Sequence, residues 1–349
     1  MKIKAAVILL LLMTAGAFAQ QTSRLNVHLV TDEADAVLAI LAKEDSGAKI
    51  EDKDWQRVFA SEGYQRLKKR EAQMKRAFED QDFQKFVESP ELRARRAALE
   101  KTLAAWKRAD LRRPAELAMA YLPENATIKA SVYPVIKPKT NSFVFEVDTN
   151  PAIFLYLDPD VDQAEFENTV AHEFHHIGYS SSCPPKENES GLTKQSDRVQ
   201  QLANWVGAFG EGFAMLAAAG GPEVNAHATG KAADRERWDH DVADFNKNQQ
   251  EVDSFFRKIL SGELTHDQAR EQGFSYFGIQ GPWYTVGWKM AVTVEHENGR
   301  KRLIAATCDF PAFLSVYNNA AKKLAADGGE KLPLWSPEII KALSFAETK

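Results

Sequence analysis

Two histidines that stand four positions apart constrain this chain more than any other feature. His172 and His176 flank Glu173, and residues four apart on an α-helix lie one turn above each other, so both rings can reach one cation. This H-E-x-x-H spacing is typical of a zinc-binding helix. Glu173 lies about 100° further round the helix than His172. Its carboxylate is therefore expected beside the ion, as a general base for a water molecule. The competing interpretation is a buried helix whose histidines are only hydrogen-bonded.

The flanking residues predict where this helix begins and ends. Asp162 is a favoured N-cap, Glu165 can complete a capping box with it, and Gly178 favours a stop. The apolar residues between them recur at helical spacing: Phe166, Val170, Phe174 and Ile177. The pattern predicts that one face of the helix packs on a core while the histidines emerge on another face.

Glu211 is the candidate for a third ligand. It lies within a predicted apolar helix over residues 199–219, with Phe209 and Phe213 as close neighbours. A buried carboxylate without a partner is costly and tends to take up a proton. A cation is therefore the expected partner, although a carboxylate that reaches solvent at the edge of the helix is the alternative.

The N-terminus has the features of a cleavable secretory signal. Lys2 and Lys4 precede an apolar run, and residues 17–19 form a small-x-small cleavage pattern, so we expect cleavage after Ala19. No lipid anchor and no membrane-spanning segment are expected, and the predicted location is secreted or periplasmic. Loss of the two lysines changes the formal net charge from −5 to −7, which argues against nucleic acid as a general partner.

Cys183 and Cys308 are the two cysteines of the chain. Export would place them in an oxidising compartment, where they can pair, but two separate buried thiols remain the alternative because sequence does not fix proximity. Their wide separation and the absence of a second pair argue against zinc ligation by cysteine.

The rest of the chain predicts an α+β fold that is mostly α-helical. Residues 20–125 are expected to form a helical N-terminal region. Three strands are predicted over residues 127–135, 142–147 and 153–157, the last two as a hairpin that leads to the histidine helix. A loop is expected over residues 179–197, and helices follow it, one of which opens at Gly281 and Pro282.

Three separated segments resemble the gluzincin zinc peptidases, especially those of the aminopeptidase type. They are H-E-F-H-H at residues 172–176, E-G-F-A at residues 211–214 and Y-T-V-G at residues 284–287. The resemblance implies zinc ligation by His172, His176 and Glu211, a general base at Glu173, and stabilisation of the transition state by Tyr284. It covers roughly residues 140–295 and extends, more faintly, to bacterial zinc peptidases known only as domains of unknown function. Taken with the features above, it predicts a signal peptide over residues 1–19, a helical region over 20–125, and a gluzincin-like zinc peptidase domain over 126–349, with a small sheet beside the active-site helix.

Two departures from that family leave the mode of cleavage open. Thirty-four residues separate His176 from Glu211, more than in a typical aminopeptidase, and the G-x-M-E-N signature that holds a free N-terminus is absent. Glu146 occupies a comparable place near the expected edge strand and is the candidate to bind a substrate amine. The alternative for Glu146 is an ordinary exposed side chain.

These observations predict a zinc-dependent peptidase, with Zn²⁺ as its cofactor and a peptide or protein as its substrate. Two other functions would use the same ligands. One is a zinc hydrolase of a non-peptide or cell-envelope substrate, and the other is a non-catalytic, zinc-stabilised binding protein of the envelope. The presence of Glu173 favours an enzyme, because a purely structural zinc site has no need of a general base.

Overall fold

The computed structural model describes residues 24–183, 191–278 and 280–344. The predicted signal segment, residues 1–19, lies outside these ranges. The described chain is mostly helical with one four-stranded sheet, which confirms the predicted α+β class. It divides into two compact units. The first contains the described residues up to 116 and residues 127–177, and the second contains residues 117–126 and the described residues from 178 onwards.

The first part of the chain, through the histidine helix, contains four strands and seven helices among its described residues. In chain order they are β1 (Leu25–Leu29), α1 (Asp32–Asp45), α2 (Asp52–Ala60), α3 (Glu62–Gln73), α4 (Asp80–Val87), α5 (Pro90–Trp106), α6 (Arg112–Met119), β2 (Ile128–Val135), β3 (Phe143–Phe145), β4 (Ala152–Tyr156) and α7 (Gln163–Ser182).

The remainder of the described chain is helical. Its α-helices are α8 (Asp197–Gly207), α9 (Gly210–Ala219), α10 (Ala232–Ala243), α11 (Phe245–Ser261), α12 (His266–Ser275), α13 (Pro282–Asn298), α14 (Arg300–Thr307), α15 (Phe310–Ala326) and α16 (Pro337–Leu343). A short 3-10 helix, Leu192–Lys194, precedes α8. None of the helices in the described ranges is long and apolar enough to cross a membrane.

The sheet has the strand order β1-β2-β4-β3. β1 and β4 both run parallel to β2, whereas β3 pairs antiparallel with β4. The predicted hairpin is thus confirmed, and β3 is an edge strand. Stacked aromatic rings join the three strands across one face, with ring centroids 4.9 Å apart for Tyr133 and Phe154 and 5.1 Å apart for Phe143 and Phe154.

The N-terminal region predicted as helical, residues 20–125, includes a strand that the prediction missed. Residues 25–29 form β1, which pairs with β2 from Leu25 opposite Ile128 to Leu29 opposite Val132. Leu25, Val27 and Leu29 are the more buried residues of an alternating pattern. Five residues give only a short period-2 signal, and the pairing with β2 stabilises the strand by satisfying its backbone hydrogen bonds.

Helix α7 begins as predicted but continues past its predicted end. The Glu165 amide donates to Asp162 Oδ1 at 2.9 Å, which caps the first turn. The expected stop at Gly178 is wrong, because the Cys183 amide donates to the Tyr179 carbonyl at 2.8 Å and extends the helical bonding by a turn. A helix-interior glycine costs only about 1 kcal/mol relative to alanine. The part of the predicted 179–197 loop up to Ser182 is therefore helical.

A disulfide follows the end of this helix. Cys183 is bonded to Cys308, with their Cα atoms 5.1 Å apart, so of the two alternatives left open by the sequence the paired one is correct. Cys308 directly follows α14, and the bridge ties the C-terminal end of the histidine helix to that point. Disulfides are typical of exported proteins.

The single helix predicted over residues 199–219 is two helices. α8 ends at Gly207 and α9 begins at Gly210, with a turn at Ala208 and Phe209 between them. The two glycines lower helix propensity at this point, and the Phe209 carbonyl lies against α13, where it leaves no room for a side chain on Gly287. The break places Glu211 in the first turn of a new helix.

Trp283 anchors the start of α13 in an aromatic core. Its ring stacks on Trp205, with centroids 5.9 Å apart, and on Phe256, with centroids 6.0 Å apart. Its Nε1 donates to the Gly273 carbonyl at 2.8 Å. A buried indole whose N–H group is hydrogen-bonded fixes both the position and the rotation of the helix that carries it. The backbone of the next residue, Tyr284, is therefore held in a well-defined place.

Candidate metal centre

The two histidines of α7 direct their rings towards one point. Their Nε2 atoms are 3.0 Å apart and their ring planes are 79° to each other. Two nitrogens that each lie about 2.0–2.1 Å from a tetrahedral zinc ion are about 3.3 Å apart. His172 and His176 therefore need to move by only a few tenths of an ångström to share an ion.

Glu211 joins these histidines. One ligand atom from each of His172, His176 and Glu211 lies within 4.8 Å of the other two, and all three residues are half-buried. In the described ranges no other three residues of the types His, Cys, Asp or Glu are grouped closely enough to hold a metal. Two imidazoles and one carboxylate suit zinc and leave a fourth position open. The donor set therefore fits the predicted ion.

Glu173 lies beside the first histidine on the same helix and is half-buried. The apolar stripe of that helix is buried as predicted, with Phe166, Val170 and Phe174 fully inaccessible to solvent. This packing fixes the rotation of α7 about its axis, and with it the direction of the residues on the opposite face. The role of Glu173 as a general base stays a prediction.

Two glycines that the sequence reasoning passed over determine how Glu211 is held. A Cβ atom on Gly212 would lie 2.1 Å from the Trp288 nitrogen and 2.5 Å from the Tyr284 carbonyl oxygen, and a Cβ on Gly287 would lie 2.5 Å from the Phe209 carbonyl oxygen. Helices α9 and α13 thus cross in backbone-to-backbone contact. Only glycine permits so close an approach.

This crossing explains the glycines of the E-G-F-A and Y-T-V-G segments. Gly212 follows Glu211, and Gly287 lies one turn beyond Tyr284, so the same contact sets the start of α9 against the first turns of α13. The signal was present in the sequence as a glycine in each segment, but sequence alone does not reveal that the two glycines meet.

Tyr284 lies in the first turn of α13, where its amide donates to the Gly281 carbonyl at 2.9 Å. Its side chain is partly buried and packs, with that of Trp288, against a small cluster of Met215, Ala226 and Trp238. The ring is therefore supported on one side by a rigid apolar surface. Its role in stabilising an oxyanion stays a prediction.

Glu146 follows the edge strand β3 and has a left-handed backbone, with φ of 53°. Its carboxylate forms ion pairs with Lys69 and with Arg66, the latter at 2.8 Å, and its side chain is 18% exposed. The Lys69 ammonium and then the Arg66 guanidinium lower the pKa of this carboxyl below its usual range. A substrate amine would have to compete with these two cations, and amine binding by Glu146 stays a prediction.

One protein family matches most of the chain. A family described as "Putative zinc dependent peptidase (DUF5700)" matches residues 55–326, which is more than half of the chain, and the chain belongs to that family. No curated protein and no solved structure matches the chain. The matched range includes all three segments that resemble the gluzincins, together with much of the helical N-terminal region.

Proposed function

We propose that this protein is an exported zinc-dependent peptidase that hydrolyses peptide bonds. The observation that carries the proposal is the gathering of His172, His176 and Glu211 within 4.8 Å, in a chain of a family named for zinc-dependent peptidases. These residues would hold the ion. Zinc supplies two things at such a site: it polarises the scissile carbonyl, and it lowers the pKa of a water molecule towards about 7.

Glu173 is the proposed general base. It directly follows the ligand His172, so its carboxylate would accept the proton of the attacking water and pass it to the leaving nitrogen. Proton transfer by a positioned side chain contributes typically about 10²–10⁴-fold to a rate. The partly buried setting of Glu173 limits competition from bulk water.

Tyr284 is proposed to donate a hydrogen bond to the oxyanion that develops on the substrate. Removal of one such donor costs roughly 2.7–4 kcal/mol of transition-state stabilisation in other hydrolases. Two features support this role. Glycine contact holds the helix of Tyr284 to that of Glu211, and the cluster of Met215, Ala226 and Trp238 supports the tyrosine ring.

The substrate is proposed to be a peptide or protein outside the cytoplasm. The Cys183–Cys308 disulfide and the signal-like residues 1–19 support export. Glu146 would take part in an aminopeptidase reaction only if a substrate N-terminus displaced Lys69 from it. Cleavage of peptides with free and with blocked N-termini therefore separates an aminopeptidase from an endopeptidase.

The test is the variant Glu173→Gln, assayed for bound zinc by mass spectrometry and for cleavage of a mixed peptide library. We expect one zinc per chain to be retained and turnover to fall by at least about 100-fold. Glu167→Gln is the matched control, because it makes the same change on the same helix at a carboxylate whose partner is Gln163. Unchanged turnover in zinc-loaded Glu173→Gln would overturn the mechanism. Zinc binding without cleavage of any peptide by the wild type would favour a binding protein or a different substrate.

A further inference from the structure

Lys137 is a buried lysine whose hydrogen-bond acceptors, within the described ranges, are both uncharged. It follows β2, is 5% exposed, and donates from Nζ to the Lys139 carbonyl and to Asn141 Oδ1, the latter at 3.0 Å. Among the described residues no salt bridge includes Lys137. Burial lowers the pKa of this amine to about 8, and the cations of Arg70, Lys139 and Arg76 act in the same direction, whereas Glu71 opposes them.

The acids near Lys137 do not neutralise it. Glu71 is engaged by Arg70 and by Arg76, the latter at 2.9 Å. Glu33, whose carboxyl accepts a hydrogen bond from the neighbouring Ile136 amide, is fully buried, and burial raises the pKa of Glu33 to about 8, so it is mainly uncharged at neutral pH. Asp82 pairs with Lys85 instead. Buried charges are normally paired, so an anion is the missing partner here.

A cavity of about 190 Å³ opens beside this amine. Leu67, Phe78 and Phe83 form its apolar side. Its charged lining consists of the cations of Lys137, Lys139 and Arg76 and the carboxylates of Glu71 and Asp82, each of which is paired with a cation. For comparison, an engineered apolar cavity of about 150 Å³ holds one benzene molecule. The cavity therefore has room for a single apolar group of about the size of a phenyl ring.

We propose that this cavity binds a small organic anion that consists of one carboxylate and one apolar group. The carboxylate would accept a hydrogen bond from Lys137 Nζ, and the apolar group would pack against Leu67, Phe78 and Phe83. Because Glu71 and Asp82 are already paired with Arg76 and Lys85, the charged lining favours an anion over an amine, and the apolar wall disfavours a small inorganic anion. The inference does not depend on the proposed peptidase activity, because none of its residues belongs to the metal centre.

Two sources could supply this chemistry: a free aryl-alkyl acid, and the apolar C-terminal residue of a peptide. The full chain is titrated calorimetrically with 3-phenylpropionate, with N-acetyl-glycyl-phenylalanine, which has no free amine, and with the uncharged analogue 3-phenylpropanol. We expect saturable binding of at least one acid, and the tighter of the two identifies the source. We expect the alcohol to bind at least 10-fold more weakly than the corresponding acid.

Variants test the role of the amine. Lys137→Met should weaken binding of the acid at least 10-fold, whereas Lys137→Arg, which keeps the charge, should weaken it less than the methionine change. Lys101→Met is the matched control on the exposed surface of α5 and should leave the affinity unchanged. If Lys137→Met does not fold, two measurements still test the proposal: the affinities of the wild type for the acid and for the alcohol, and the affinity of Lys137→Arg for the acid. Absence of saturable binding by either acid, or equal affinity for acid and alcohol, would overturn the proposal.

Discussion

The candidate metal centre and the Lys137 cavity contain buried charges of opposite sign. At the metal centre, two imidazoles and the Glu211 carboxylate come within 4.8 Å of one another, an arrangement that a cation completes. At the cavity, a buried ammonium has cations and a neutralised carboxylate around it, an arrangement that an anion completes. In a buried cluster, the charge that lacks a counterpart therefore indicates the sign of the ligand that would complete it.

Removal of a proposed zinc ligand is expected to change the protein most. His176→Ala removes one of two ligands from α7, so bound zinc should fall from one per chain to near zero and peptidase activity should disappear. A ligand present at about 1,000 times its dissociation constant stabilises the folded state by about 4 kcal/mol, and the variant should lose that stabilisation. Zinc content and thermal unfolding with and without a chelator measure both effects.

The control for this change is His240→Ala. The side chain of His240 is 73% exposed, and its partner is Asp241 on the same helix. Zinc content should remain that of the wild type. A His176→Ala protein that keeps stoichiometric zinc would show that the cluster is not a metal site, and the contrast between the two regions would fail.

Reduction of the disulfide should sharpen the contrast. The bridge closes a loop of 125 residues, and in the chain-entropy model such a cross-link contributes about 4–5 kcal/mol to the free energy of unfolding. It also anchors the end of α7, so reduction should weaken zinc binding while leaving binding at the Lys137 cavity unchanged. Urea unfolding and zinc titration with and without dithiothreitol measure this. Cys308→Ser should mimic reduction and be insensitive to dithiothreitol. If reduction weakened the binding of zinc and of the acid equally, the two sites would not differ in their dependence on the disulfide.

Glu33 offers a third outcome for a buried charge, namely neutralisation by a proton. Burial, mainly, raises the pKa of Glu33 from its ordinary 4.5 to about 8. Between these values the folded protein holds a proton that the unfolded chain has released, so this residue makes stability fall as pH rises from about 5 to 8. The limiting slope is about 1.4 kcal/mol per pH unit. Glu33→Gln has no such loss, so its stability relative to the wild type should rise over this window and level off above it.

Urea unfolding at pH 5, 6.5 and 8 tests this dependence. The exposed Glu124→Gln is the control and should give a pH-independent difference from the wild type. A Glu33→Gln protein whose relative stability does not change between pH 5 and 8 would mean that Glu33 keeps its charge in the folded state.

The parts of the candidate metal centre that could be predicted from the sequence are those that follow from a local pattern. His172 and His176 were identifiable because the helical repeat itself brings residues four apart together. Glu211 was identifiable from its apolar neighbours. The contact between Gly212 and Gly287 was not, because it joins two helices whose packing no local pattern encodes. Lys137 and Glu33 were missed for the same reason, since charged residues are normally exposed and tertiary packing alone buries these two.

The fold was predicted best where a proline marks the start of a helix. Pro282 begins α13, as predicted, because proline suits the first helical turn. Gly178 misled the prediction, since a glycine inside a helix costs little when the following turn is stabilised. There, the hydroxyls of Ser181 and Ser182 both donate to the Gly178 carbonyl at 2.8 Å. β1 was missed because its period-2 pattern spans only five residues.

A smaller loss of stability is expected from a change at the crossing of α9 and α13, which holds Glu211. Gly212→Ala introduces a methyl group 2.1 Å from a backbone nitrogen, so α9 and α13 must separate. Overpacking of this kind typically costs about 1–3 kcal/mol, and the displacement of Glu211 should also weaken zinc binding. Gly207→Ala is the matched control, because its added methyl group meets nothing within 4 Å. That change should stabilise α8 by up to about 1 kcal/mol and leave zinc affinity unchanged. If both alanine variants had the same unfolding free energy and zinc affinity, the glycine contact would have no part in positioning the carboxylate. The position of Glu211 beside His172 and His176 would then depend on side-chain packing alone.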